Sequence, residues 1–130
     1  MFHYYIPPPT PGTDAHVAVV AAGRSTVREL MEEIRTGLRF PGYCGLNLDA
    51  FWDCVRVLEG IDARRVALVH RDLPALPDDR LAAYIELLRD TVLYWRARAD
   101  EHCFEAWFPA VRVDDVKAML NSLPPPEAAE

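Results

Sequence analysis

The sequence predicts an α/β protein with a small, mainly parallel sheet packed by helices, its elements in the order β-α-α-β-α-β-α. Three observations carry that expectation. HVAVVAA (16–22) and RVALVH (65–70) are short continuous apolar runs, the pattern of strands buried on both faces, and CFEAWF (103–108) is a third strand-length segment rich in aromatics. The segments between them repeat hydrophobic residues at helical spacing. Strands alternating with helices imply parallel pairing through helical crossovers. With 130 residues, 51% of them hydrophobic, the chain suffices for one domain whose core needs no crosslinks.

Residues 1–15 read as a proline-rich arm. In it Phe2, Tyr4 and Ile6 alternate as in a short edge strand, and Pro7-Pro8-Pro9 favours polyproline II. The first buried strand closes at Gly23. Thr26 caps the first helix, Glu29 completes a capping box, and Val27, Leu30, Met31, Ile34 and Leu38 form its apolar face. Pro41-Gly42 breaks the chain. Asn47 caps a second helix running to about Gly60. After strand 65–70 comes RDLPALPDD, whose aspartate pair is expected to cap a long helix over about 78–98 with Leu81, Tyr84, Ile85, Leu88, Val92 and Trp95 inward. Past strand 103–108, a short helix over 113–121 carries Val116, Met119 and Leu120. The domain is thus expected over 16–122, between the arm (1–15) and a loose tail (123–130), with no internal repeat.

The formal charge of −6 opposes non-specific nucleic-acid binding and suits a basic partner. Cys44, Cys54 and Cys103 form no CxxC pair, which argues against a disulfide framework or a zinc site and for free thiols in a reducing cytoplasm. Cys44, beside a helix start, is expected to be the exposed thiol. No apolar run approaches the ~20 residues that span a bilayer, and MFHYYIPPPTPG is not a signal peptide. A cytoplasmic protein without cofactor or metal is expected. His3, His16, His70 and His102 are scattered without triad or ligand spacing and read as structural or solvated.

The stretch PGYCGLNLDAFWDC (41–54) is the most informative. On a helical wheel at ~100° per residue, Leu48, Phe51, Val55 and Leu58 face the core and Cys54 sits near its edge. Asp53 points outward, Asp49 and Arg56 share that outer half, and Trp52 lies on the boundary. Asp49 and Asp53 are like charges at i,i+4, a placement that costs ~0.2–0.5 kcal/mol. Four readings fit. An acidic first turn favoured by the helix dipole explains Asp49 without any function. Paired carboxylates can perform acid–base catalysis, although no nucleophile, base or metal set accompanies these two. A divalent metal would need more ligands. A protein-binding face would use the carboxylates beside the aromatic anchors Tyr43 and Trp52.

The contiguous run Tyr43, Gly45, Asn47, Leu48, Asp49, Ala50, Trp52, Asp53, Cys54 resembles the barstar family, intracellular inhibitors of a secreted ribonuclease. RSTVRELMEEIRTGL upstream is similar to the family's first helix. The resemblance covers roughly 16–110 and is densest over 40–54. It implies a barstar-like, three-stranded parallel sheet packed by helices, with a loop and second helix that plug the enzyme's active site. Carried over by position, Asp53 enters the phosphate site as main anchor and Asp49 pairs with a second basic group. Tyr43 packs on the active-site edge, Gly45 permits close backbone approach, Asn47 and Leu48 make loop contacts, and Trp52 supports the face. An acidic contact before the third helix maps onto Asp78 or Asp79.

The chain departs from the family pattern at Cys44 (a second tyrosine in barstar), at Leu46 (a glutamate) and at Val55-Arg56-Val57-Leu58, where Arg56 sets a positive charge beside the carboxylates. The implied function is that of a non-catalytic immunity protein in a bacterial toxin–antitoxin pair, bound to a basic ribonuclease, barnase-like or the toxin domain of an interbacterial weapon. The alternative is a barstar-fold interaction module for a non-nuclease partner. A small enzyme using Asp49 and Asp53 is a third reading.

Overall fold

The computed structural model describes residues 1–6 and 15–126; the expected polyproline segment at Pro7–Pro9 lies outside them. The elements are β1 (His3–Tyr5), β2 (Ala15–Val20), α1 (Val27–Gly37), α2 (Leu48–Val55), β3 (Arg65–His70), α3 (Asp78–Arg96), β4 (Cys103–Pro109), a 3-10 turn (Ala110–Arg112) and α4 (Val113–Ser122). The sheet runs β1-β4-β3-β2 with every pairing parallel. It therefore has four strands rather than the expected three. The added strand is the short edge strand expected at the start of the arm, where His3 aligns with Trp107 and Tyr5 with Pro109. Phe2 packs on Phe108 and Tyr5 is buried, so these two residues fix the strand, while Ile6 stays 88% exposed and lies outside it.

One sheet face carries the main core. Ala18, Val20, Val66, Leu68, Phe104, Ala106 and Phe108 meet Leu30, Met31 and Ile34 of α1, Phe51 and Val55 of α2, Tyr84, Ile85 and Leu88 of α3, and Val116 of α4. The other face holds a smaller cluster of Tyr5, Val17, Ala67, Val69 and Trp107, to which no helix residue contributes. Among the described residues, helices thus cover the strands on one face only. This explains why β4 alternates buried and half-buried residues instead of reading as a continuous apolar run.

Local sequence accounts for the starts of α1 and α2. Thr26 Oγ1 accepts from the Glu29 amide and the Glu29 carboxylate accepts from the Thr26 amide, closing the capping box. Asn47 Oδ1 accepts from the Ala50 amide at 2.8 Å. Two expectations need correction. α3 starts after Pro77 with no side-chain cap, so Asp78 and Asp79 sit in the first turn and favour it only through the helix dipole. And α2 ends at Val55, not near Gly60, because the chain turns left-handed at Leu58 (φ 49°). Leu58 is nevertheless buried, so the apolar spacing continues past the end of the helix.

Candidate functional site

The loop 39–47 and α2 build the face on which sequence reasoning converged. Tyr43 projects into solvent at 84% exposure. Gly45 lets the loop close on the helix, since a Cβ there would lie 3.2 Å from Asn47 Nδ2 and 3.3 Å from Ala50 Cβ. That role is local, beside any closeness to a partner. Asn47 is exposed and its oxygen is spent on the cap. Leu48 is half-buried against the main core. Asp49 is exposed in the first turn.

Trp52 is half-buried, edge-on to Tyr94 of α3 with ring centroids 6.1 Å apart. The Arg56 guanidinium lies over its ring at 4.7 Å. Arg56 Nε donates to the Trp52 carbonyl at 3.1 Å, and Nη2 donates to Asp53 Oδ1 at 3.0 Å. The Asp53 side chain is still 73% exposed. Trp52, Arg56 and Asp53 thus form one stacked unit on the outer face. An exposed ion pair of this kind is worth about 0–1 kcal/mol, so an incoming cation can displace Arg56 at little cost.

Asp78 stands at the first residue of α3, exposed. Its neighbour Arg80, which sequence reasoning passed over, lines a groove of about 340 Å³ with Val27, Leu46, Asn47, Leu48 and Asp49. The start of α3 therefore does border the face, through Arg80. A second cavity, of about 140 Å³ and lined by Asp53, opens between the loop and the end of α2, with Phe40, Pro41, Tyr43, Cys54 and Val57 among its walls. Val57 is 54% exposed. A helix extended to Gly60 concealed it, and an apolar residue left in solvent was its only sequence signal.

The cysteines overturn an expectation. Cys44 and Cys54 are joined by a disulfide, with Cα atoms 6.7 Å apart, and only Cys103 is free. Cys44 is buried, not the exposed thiol expected. The Pro41 turn, closed by the Cys44 amide donating to the Pro41 carbonyl at 3.0 Å, folds the loop back over α2 and brings the two sulfurs together. Among the described residues, no group of three or more His, Cys, Asp or Glu side chains is placed to hold a metal ion, and no helix is long and apolar enough to cross a membrane.

Fold and face together define a small parallel α/β protein that displays carboxylates and aromatics on a protruding loop–helix. Residues 15–106 match the family described as Barstar (barnase inhibitor), and the chain belongs to that family. The match spans well over half of the chain and contains the whole of 43–56; β1 and α4 lie outside it. No curated protein and no solved structure matches the chain.

Proposed function

We propose that this chain is a non-catalytic immunity protein that blocks the active site of a basic ribonuclease toxin through residues 43–56. The observation that carries the reading is Asp53. It projects from α2 at 73% side-chain exposure, flanked by Tyr43 and the Trp52–Arg56 stack. Helix stability does not need a carboxylate there. A cationic active site does, because it binds phosphates and accepts a carboxylate in their place. Tyr43 and Trp52 supply rigid aromatic area at the same face, and Asp49 offers a second anion one turn earlier. Gly45 and Asn47 shape the loop, Leu48 begins the helix, and Asp78 would reach the partner from the start of α3. Membership of a family described as a barnase inhibitor and the net charge of −6 both favour a basic nuclease as partner.

One observation favours a second reading. Arg56 already pairs with Asp53, so a partner of mixed charge, not a nuclease, is served by the same face. Co-expression separates the two. The chain should restore growth to cells expressing the ribonuclease encoded beside it. Unrelieved killing at equal expression would favour the non-nuclease partner.

A further inference from the structure

The disulfide sits at the two ends of the segment that carries the face. Cys44 follows Tyr43, Cys54 follows Asp53, and the bond ties the loop to the end of α2 across 10 positions. Residues from 39–43, ending just before Cys44, and from 53–60 form the walls of the cavity beside Asp53. Each wall contains a non-glycine residue in left-handed backbone, Arg39 (φ 56°) and Leu58 (φ 49°). Such geometry persists only where the surroundings hold it. Among the described residues no backbone hydrogen bond joins one wall to the other. Besides the disulfide, they meet by packing. Gly60 fits beneath Arg39, where a Cβ would come within 2.7 Å of the carbonyl oxygen. The bond is also reachable, since Cys54 is half-buried and lines the cavity while Cys44 is buried.

We propose that Cys44–Cys54 is a redox-operated positioning device for the Tyr43–Asp53 face: oxidised, it holds the loop on α2; reduced, it lets the loop loosen. Its use in affinity control rests on the partner-binding reading above. A dithiol reductant attacks Cys54 Sγ with one thiolate; the S–S bond breaks, and Cys44 leaves as a thiolate that takes a proton. The reductant's second thiolate then displaces Cys54, so the protein pair gains two electrons and two protons and the reductant becomes a disulfide. In a reducing cytoplasm the pair is open much of the time. An oxidising shift then orders the face and tightens its grip on the partner.

Hydrogen exchange on the full-length chain with and without dithiothreitol tests this, with thiols counted by alkylation and mass. The oxidised chain should show one alkylatable thiol, Cys103, and the reduced chain three. Amides at 42–47 should exchange at least about tenfold faster when reduced, while β3 amides keep their rates. The Cys44→Ser/Cys54→Ser double variant should show the faster rate in both conditions. Three thiols remaining after mild oxidation of the chain, equal protection at 42–47 in the two states, or acceleration spread evenly over β3 would each overturn the device. With the cognate ribonuclease, affinity should fall about tenfold on reduction, and equal affinity counts against the device. Absence of binding in both states counts against the ribonuclease reading alone, and the exchange comparison then decides the device.

Discussion

Asp53→Ala should weaken binding of the cognate ribonuclease by more than about a hundredfold while leaving folding stability within about 0.5 kcal/mol of the parent. The two halves of that expectation have different physical sources. In the free chain Asp53 is an exposed helix residue with one salt bridge, to Arg56, so its truncation costs little. In the complex it would be desolvated against the cationic groups of the active site. Removing it leaves those charges buried and unpaired, a loss of about 3 kcal/mol or more, which is over a hundredfold in Kd. The variant also strands Arg56 at the interface with no carboxylate to neutralise it, which adds repulsion against a basic enzyme. Titration calorimetry and urea unfolding on the same preparation read both halves. A large stability loss with unchanged affinity would move Asp53 from the interface to the scaffold.

Acid should unfold the protein early, and His70 should be the cause. His70 is fully buried, stacked on Phe108 with ring centroids 4.3 Å apart. Its Nδ1 bonds the Trp107 carbonyl at 3.0 Å, which fixes that nitrogen as the donor. Nε2 therefore accepts from the Tyr84 hydroxyl at 2.6 Å, and the ring is neutral. Desolvation by burial pushes its pKa down from 6.5 to about 4. Between those values the unfolded chain binds a proton that the folded chain refuses, so stability rises with pH across that window and is complete above 6.5. Falling from pH 7 to 4 should cost about 3 kcal/mol from this one residue. Urea unfolding at intervals over that range measures the slope. His70→Gln should flatten it whatever the variant's absolute stability, and an unchanged slope would assign the acid sensitivity to other groups.

Much of this architecture is legible in the sequence because it is local. The capping box at Thr26 and Glu29, the Asn47 cap and the outward direction of Asp53 follow from side-chain chemistry and a 3.6-residue period. What escaped depends on distant contacts. The alternation of Phe2, Tyr4 and Ile6 marks a short edge strand, but not that it joins this sheet as a fourth strand, because His3–Tyr5 pair with residues more than 100 positions away. α2 stops short because the chain turns at Leu58, yet Leu58 returns to the core, so the spacing reads on as helix. The Cys44–Cys54 bond depends on the Pro41 turn folding the loop over α2, and nothing in a ten-residue spacing reveals that fold-back. Arg80 enters the site only because α3 starts beside α2. The carboxylates were readable and their surroundings were not, since those come from three other parts of the chain.

Occupation of the ribonuclease active site is the central claim, and steady-state RNA cleavage tests it directly. Purified cognate ribonuclease is titrated with the chain at a series of substrate concentrations. Inhibition should be complete in excess chain, and the apparent inhibition constant should rise linearly with substrate concentration, as competition for the phosphate site requires. Inhibition independent of substrate concentration, or cleavage that continues in excess chain, would contradict it.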